Sequence, residues 1–554
     1  MFILVTGFLF TIISASVLSY VSIATMVGPW IAPTIVLLGN LLLLYAPKEA
    51  IPSNRKKIAL MQAISSVGGI TAVGLGFSLP ILYFLDPTLF NSLLKNKILF
   101  CSGISLICLI AGSFGIVLGR MFAHRLLIYK QLPFPVSTLT HQIITSQSQQ
   151  KEVRNLFGGV SISILLCVLR DGIFTFQGII PKNINLLYNS ITISLWPTLW
   201  AIGFTIGLKN IIPLLIGLFS KYAVLTPLNN HSLYLPIKLF NPLNSDDFIT
   251  AFCAGLVSSE MILYLIKKPA TLQAIAYKIY HYYTTNKQSI VILLTNPKSV
   301  TSQKISSLSF LEKLIKRLEP LIALACYFFY FSFFNFSFLS QLLLLGGITL
   351  ALYEINYING EVGLLQFGRY SVFLLVPMIV IFKIDYVQIT ALCVFFNISA
   401  ATSSDLLCDY KISNYENINQ TETHLAQWLG LILTAACIGI IFYLLFNTFT
   451  LGSADFFGQR GRSKALLIQS LNFNNYVVSL GFIYGIILKK LRISPTMTFG
   501  GILMPHNITT GFAIGGILSY LAGSKKISLL PFCSGVFSSE SLWIIITLAS
   551  KIIP

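Results

Sequence analysis

The sequence predicts an all-α polytopic membrane protein with about 16 transmembrane helices, in two tandem and similarly oriented repeats that include re-entrant or broken segments. Three observations predict this class. Hydrophobic residues make up 55% of the 554 residues and charged residues only 10%. Apolar stretches long enough to cross a bilayer recur along the chain, and one phrase is written twice. Because soluble domains are roughly 25% charged, the composition excludes an ordinary soluble enzyme.

The apolar stretches form two sets of eight, separated by a long basic connection. The predicted spans of the first half lie near 3–25, 27–46, 58–85, 98–122, 156–180, 189–208, 210–227 and 247–266. Those of the second half lie near 320–340, 341–357, 370–384, 385–403, 425–448, 465–488, 496–523 and 528–549. The predicted domains are therefore an N-terminal transmembrane repeat (1–266), a basic cytoplasmic linker (267–319) and a C-terminal transmembrane repeat (320–554).

One short stretch, "LPFPVSTLTHQIITS" at 132–146, is too brief and too polar to span a membrane. Its two prolines remove backbone donors and favour a broken or re-entrant segment. Basic residues give the chain a net charge of +19 but are scattered over short loops. That distribution fits membrane topology with a cytoplasmic N-terminus better than a nucleic-acid surface. The nine cysteines show no CxxC pair, so no metal site and no cofactor are predicted.

The repeated phrase is "FCAGLVSSEMILYLI" at 252–266 and "FCSGVFSSESLWIII" at 532–546. Two further patches repeat at a similar offset: "IGFTIG" (202–207) with "LGFIYG" (480–485), and "LTP" with "LMP". An even number of spans in each half would give both halves the same orientation. The order of the patches predicts an internal duplication.

Acids inside predicted spans are functional candidates, because a charge at membrane depth costs about 2.5 to 3.5 kcal/mol on insertion scales. Glu260 and Glu540 follow the two serines in the two copies of the repeated phrase. Each either contacts substrate or a proton, or is a glutamate that caps a neighbouring helix. Arg170 and Asp171 are adjacent within "CVLRDGIFTF", where structural pairing is favoured over chemistry.

The stretch "EINYINGEVGLLQFGR" holds Glu361 and Arg369 and is interrupted by glycine. It predicts either an unwound helix near a binding site or an ordinary loop. The densest polar cluster is "SAATSSDLLCDYKIS", with Asp405, Asp409 and Lys411. At helical spacing the two aspartates share a face and repel unless a proton, a cation or a base separates them. This predicts the end of a transport pathway or a solvated helix end.

Several patches resemble the oligopeptide transporter family, which includes yellow-stripe-like and bacterial members. "YAPKEAIPSNRKKIALMQAISSVGGITAVGLGFSLPILYF" is similar to the family's early segment, and "LPFPVSTLTHQII" to its "PFP" segment. "SSDLLCDYKIS" resembles the "LxxDLKTG" signature, with Asp409 and Lys411 at the matching positions. "CSGVFSSESLWIII" resembles a C-terminal segment whose glutamate corresponds to Glu540. The chain departs from the family at His141-Gln142, where Ala-Glu is usual and an acid is therefore missing, and in the stretch 354–371.

The resemblance implies a proton-coupled symporter of small oligopeptides that works by alternating access. Glu540, with Glu260 as its repeat mate, would bind a proton or a substrate amine, and Asp405, Asp409 and Lys411 would line the cytoplasmic end. A transporter of peptide-like metal chelates is the alternative, and a channel the next. No HExxH or GxSxG motif suggests an enzyme. The expected location is the cell membrane, the inner one in a bacterium, with the oligomeric state left open, a homo-oligomer included.

Overall fold

A computed structural model describes most of the chain. The described residues are 2–24, 32–44, 51–146, 150–172, 183–186, 191–194, 196–222, 307–363, 367–452, 475–503, 506–523 and 529–537, with shorter pieces at 248–249, 251–253, 255–256, 259, 456, 458, 460–461, 464–465, 539 and 543.

The first half, where the structure describes it, is helical apart from one hairpin and short turns. Its elements are α1 (Phe2–Ala24), α2 (Ala32–Leu44), α3 (Ile51–Gly76), α4 (Pro80–Leu85), α5 (Pro87–Lys95), α6 (Lys97–Ala123), α7 (Pro135–Ser146), α8 (Gln150–Asp171), β1 (Asn183–Leu186), β2 (Ile191–Ser194), α9 (Pro197–Ile206) and α10 (Leu208–Ser220). A π-helical turn at His124–Tyr129 extends α6. The strands pair antiparallel, with Asn183 opposite Ser194.

The second half is helical in all its longer described segments. Its elements are α11 (Ser307–Phe333), α12 (Phe338–Val362), α13 (Phe367–Phe382), α14 (Tyr386–Tyr415), α15 (Gln420–Thr448), α16 (Asn475–Lys490), α17 (Pro495–Leu503) and α18 (His506–Ala522). The described residues at 248–259 and 529–539 are also helical.

Six helices within the described residues are long and apolar enough to cross a membrane. They are Val5–Ile23, Arg55–Leu85, Lys97–Tyr129, Phe338–Val362, Tyr386–Tyr415 and Gln420–Thr448. The prediction of a helical integral membrane protein is confirmed at this level, with the short hairpin as the exception. Many large apolar side chains on these helices face outward, for example Ile98, Leu444 and Phe338. Such a surface suits lipid contact.

Helix α14 lies at the centre of the packing. No glycine or proline interrupts its thirty residues, and Asp385 and Gln388 form a reciprocal capping box at its start. Every residue from Ile389 to Tyr410 is buried, because α3, α6, α7, α12, α13 and α15 all pack against it. A helix buried on every side is expected to be apolar, so its many polar residues must find partners inside the protein.

Several predicted spans differ from the helices in detail. A turn at 77–79 separates α3 from α4 inside the predicted span 58–85, since Pro80 lacks a backbone donor. The hairpin occupies the beginning of the predicted span 189–208, which leaves only α9 as helix. The sequence predicts an unwound helix or a loop over 354–369, and both interpretations are wrong for residues 354–362, which belong to the continuous helix α12. It ends at Gly363, whose φ of 75° suits a glycine C-cap.

The linker predicted at 267–319 lies mostly outside the described residues. Its last part is already helical, because α11 begins at Ser307 and continues through Pro320. The stretch predicted as broken or re-entrant contains α7, whose 12 residues are too few to cross a bilayer. Non-helical backbone precedes it, and Phe134 donates its N–H to the carbonyl of Gly360 at 2.8 Å.

The first copy of the repeated phrase makes a close helix crossing with α16. A Cβ added at Gly255 would overlap the carbonyl oxygen of Val478, and one added at Gly481 would overlap the carbonyl oxygen of Phe252. Glycine is therefore required on both helices at this crossing.

The second copy makes the same crossing with α8. A Cβ at Gly535 would overlap the carbonyl of Leu156, and one at Gly159 would overlap the carbonyl of Phe532. In both copies the backbone carbonyl of the phrase's phenylalanine lies against a glycine of the partner helix. The glycine of the phrase lies against the carbonyl of the partner-helix residue three positions before that partner glycine. Backbone approach thus accounts for the glycine that both copies of the phrase share, Gly255 and Gly535.

The upstream patches of the predicted repeat are placed differently. Gly203 of "IGFTIG" packs against Phe512 on α18, whereas Gly481 of "LGFIYG" packs against Phe252. These two glycines do not occupy matching positions. The partner helix of the first copy of the phrase is α16 and that of the second copy is α8, so these two helices occupy equivalent places in the two crossings.

Candidate functional site: a buried carboxylate pair

The candidate site lies where α14 meets α3 and α15. Helix α14 supplies Asp405 and Asp409, α3 supplies Gln62 and Ser66, and α15 supplies Gln427. Each of these five side chains is at most 2% exposed. The pairs at i and i+4 on α3 and on α14 each lie on one helix face, which brings the four side chains together along the crossing.

Hydrogen bonds join the two carboxylates through one amide. Nε2 of Gln427 donates to Oδ2 of Asp405 at 3.0 Å and also to Oδ2 of Asp409. Ser66 donates its hydroxyl to Oδ2 of Asp405 at 2.8 Å, and Gln62 donates Nε2 to Oδ1 of Asp409 at 2.9 Å. Since both carboxylates bond one nitrogen, their oxygens lie within about 6 Å of each other, where like charges oppose ionisation.

No basic side chain among the described residues forms an ion pair with either aspartate. Lys411, the base nearest in sequence, turns to another face of α14. Its Nζ donates to the carbonyl of Leu132 at 3.1 Å and lies 5.4 Å from the centre of the Tyr415 ring. Lys411 is therefore not the base that separates the two aspartates. Two buried carboxyl groups without a base require a proton or a cation to lower their repulsion.

The two glutamines commit their donors to the acids. Oε1 of Gln62 and Oε1 of Gln427 are both buried and have no hydrogen-bond partner among the described residues. The reverse amide orientation would put oxygen against carboxylate oxygen, so the acids fix these orientations. The arrangement can hold a single shared proton and still give the remaining carboxylate two donors, because Gln427 bonds both acids, Ser66 bonds Asp405 and Gln62 bonds Asp409.

The burial of the pair corrects one of the two sequence interpretations. Asp405 and Asp409 are not at a solvated helix end, because α3, α7 and α15 cover that part of α14. The partners Gln62, Ser66 and Gln427 were missed from the sequence. The sequence feature that could have identified them is an amide or hydroxyl side chain within an apolar span.

A second polar network continues along α14 toward α12. Ser404 donates to Oδ1 of Asn356 at 2.5 Å, and Nδ2 of Asn356 donates to the hydroxyl of Ser403 at 3.0 Å. One turn further, Nδ2 of Asn359 lies 3.5 Å from the sulfur of Cys408. These contacts place neutral polar groups beside the carboxylates on the α12 side.

A third cluster surrounds Glu319 on α11. Arg120 of α6 is 2.6 Å from its Oε2, and Nε2 of His424 is 2.8 Å from its Oε1. Trp428 also donates its indole N–H to Oε1 at 3.0 Å, and Tyr410 bonds Nδ1 of His424 at 3.2 Å. Sequence reasoning counted Glu319 as a linker charge, so this cluster was missed.

The Glu319 cluster borders a cavity of about 280 Å³ lined also by His124, Leu127 and Gln420. Tyr410 connects this cluster to the carboxylate pair in sequence, since it follows Asp409 directly. A further contact lies near the end of α14, where Nδ1 of His141 is 3.1 Å from Oε1 of Glu416. Titratable groups thus gather around this end of the helix.

The other predicted site residues are placed as follows. Glu260, Glu540 and the side chains of Asp171, Arg369 and His506 lie outside the described residues. Arg170 is buried with its guanidinium carbon 5.6 Å from the centre of the Trp196 ring. Glu361 lies beside Tyr357 and Lys130 at the end of α12, away from α14's aspartates.

Comparison with protein-family models finds no match for this chain. Comparison with curated proteins finds none either. The resemblance to oligopeptide transporters therefore stays a prediction.

Proposed function

We propose that this protein is a proton-coupled secondary transporter and that the Asp405–Asp409 pair carries the coupled proton. The observation that supports this is the placement of two carboxyl groups in the protein interior, joined through Gln427 and without a base among the described residues. A site that binds and releases one proton inside a membrane protein is what coupling requires.

The alternative of a purely structural pair is less favourable. Burying two like charges costs free energy, and neutral side chains of similar shape would pack α3, α14 and α15 at lower cost. An acid that must be ionised in one step and protonated in another explains why the chain keeps both. The hydroxyl and amides around them stabilise the ionised form without supplying a fixed positive charge.

The wider mechanism follows the predicted architecture. About sixteen spans in two repeats would form a multi-pass protein that exposes a central cavity to each side in turn. Small oligopeptides are the proposed substrates and peptide-like metal chelates the alternative, both on the resemblance. Glu540 and Glu260 keep their proposed role in substrate or proton binding, but the carboxylate pair is the first site to test.

The test uses purified full-length protein in liposomes and measures uptake of labelled trialanine. With an inward proton gradient, uptake should be accelerated, and a protonophore should remove the acceleration. Asp409→Asn and Asp405→Asn should bind trialanine but lose the response to the gradient. Glu422→Gln is the matched control, because Glu422 is an exposed acid on α15.

Two results would contradict the proposal. One is uptake by Asp405→Asn and Asp409→Asn proteins that still follows the proton gradient. The other is wild-type uptake that ignores a proton gradient and follows a sodium gradient instead. Thermal unfolding of each variant in detergent checks that the substitutions leave a folded protein.

A further inference from the structure

Lys464 is a buried amine for which the described part of the chain supplies no counter-ion. Its side chain is 6% exposed, and Nζ has no hydrogen-bond partner among the described residues. An ammonium group in the protein interior is costly unless it is paired and hydrogen-bonded. Lys464 in this position therefore lowers the stability of the ligand-free fold.

The groups around Lys464 do not supply the missing negative charge. Those that interact with it electrostatically are the thiol of Cys393 on α14 and the guanidinium of Arg460, one helical turn earlier. A thiol is ordinarily neutral at pH 7, and Arg460 adds a second positive charge. The Arg460 guanidinium carbon lies 4.3 Å from the centre of the Phe77 ring, at the break between α3 and α4.

The backbone on either side holds this segment in place. The N–H of Gly458 donates to the carbonyl of Ile23 near the end of α1 at 3.0 Å. A Cβ on Gly461 would lie 2.8 Å from Cβ of Pro80, so the segment packs closely on the start of α4. Lys464 is therefore presented by a part of the chain that is fixed to α1 and α4.

Asn397 provides a second buried group without a partner. It is 0% exposed, and neither Oδ1 nor Nδ2 has a hydrogen-bond partner among the described residues. It lies one helical turn after Cys393, on the same face of α14. Its backbone packs against Gly74 on α3, three residues before Phe77 in the turn that follows this helix. The end of α3, this turn of α14 and the 460–465 segment therefore meet at one place.

We propose that Lys464 and Asn397 bind the carboxylate of the transported substrate, which for a small peptide is its C-terminus. An ammonium and an amide N–H are the donors that a carboxylate accepts, and the anion supplies the charge that Lys464 lacks. This inference rests on the proposed transport function. Asn397 is eight residues before Asp405, so the two sites lie about 12 Å apart along one helix.

The test compares trialanine with trialanine amide, which differ only at the C-terminus. Binding to the purified full-length protein is measured by titration calorimetry. Wild-type protein should prefer the free acid by about 10- to 100-fold. Lys464→Met should remove most of that preference, and Asn397→Leu should reduce it. Lys490→Met, at the exposed end of α16, should leave the preference unchanged.

Loss of folding is not expected to confuse the result. Lys464→Met removes an unpaired buried charge, so the ligand-free variant should unfold at the same temperature as wild type or higher. The inference is overturned if wild type does not prefer the free acid, or if Lys464→Met retains the preference. Neither result bears on proton-driven uptake, which is measured separately and decides the proposed function.

Discussion

Asp405 and Asp409 lie one turn apart on α14, and their carboxylates accept hydrogen bonds from the same side-chain nitrogen of Gln427. One donor between two acids ties the protonation of each to that of the other. The pair belongs to the most buried helix of the described fold, and α15 brings the shared donor. Any movement of α15 against α14 would therefore change how the pair holds its proton.

Gln427→Leu should destabilise the protein by about 1–3 kcal/mol, because it leaves two buried acceptors short of a donor. Thermal or denaturant unfolding in detergent measures this. Gln420→Leu is the control, since Gln420 is an exposed residue at the start of the same helix. Equal stability of the two variants would show that the shared bond contributes nothing.

Glu319→Gln should cost about 1–3 kcal/mol, because Arg120, His424 and Trp428 all direct donors at this buried carboxylate. The exposed pair Lys56–Glu422 offers a comparison, with side chains 46% and 41% exposed. Glu422→Gln should change stability by at most about 1 kcal/mol. A double-mutant cycle with Arg120→Gln isolates the Arg120–Glu319 coupling, and a coupling near zero would contradict the prediction.

Gly159→Ala should destabilise the protein by about 1–3 kcal/mol, because the added methyl overlaps the carbonyl of Phe532. The neighbouring Gly158 has no atom within 4 Å of the corresponding position. Gly158→Ala should be neutral or stabilising by up to about 1 kcal/mol. Unfolding temperatures of the two variants, made on the same helix, test the crossing. A similar loss in both would argue against it.

Binding of a substrate carboxylate should weaken at alkaline pH. Burial lowers the pKa of Lys464 to about 8, and Arg460 adds to the lowering while Cys393 opposes it. Lys464 is thus charged below pH 8 and loses its proton above it. The preference for trialanine over trialanine amide should hold from pH 6 to 7.5 and fall by up to about tenfold per unit above the pKa.

Both peptides carry the same amino group, so its titration cancels in the comparison of their affinities. Calorimetry between pH 6 and 10 measures the ratio. A ratio that stays constant to pH 10 in wild-type protein would contradict the assignment of Lys464. In Lys464→Met protein the ratio should be low and independent of pH.

Local pattern predicted much of the helical architecture. The long apolar stretches of α6, α14 and α15 were recognised because hydropathy is a property of neighbouring residues. Breaks were predicted less well. The turn at 77–79 and the continuous helix through Glu361 depend on packing. A helix continues through a proline or glycine only where neighbouring groups satisfy the backbone hydrogen bonds that these residues leave open.

The candidate site was partly visible in the sequence. Asp405 and Asp409 stood out because charges are rare in apolar stretches, but Lys411 was grouped with them by sequence distance alone. On a helix a residue two positions away faces elsewhere. Asn397 gave almost no signal, since a single polar residue in an apolar run is equally suited to a lipid-facing or an interior position. Lys464 gave none either, because it follows Arg460 and Arg462 in a polar, basic stretch that is typical of a loop.

The sequence by itself determined that the chain is a helical membrane protein, that two aspartates share a helix face, and that one glycine-containing phrase occurs twice. Only the tertiary structure decided that Gln427 joins the aspartates, that Glu319 is a buried ion-pair centre, and that each copy of the phrase makes a backbone crossing. The physical reason is that hydropathy and helical periodicity act between neighbours in the chain. Hydrogen bonds and close crossings join residues on different helices, which at the carboxylate pair lie from 18 to more than 300 positions apart in the chain.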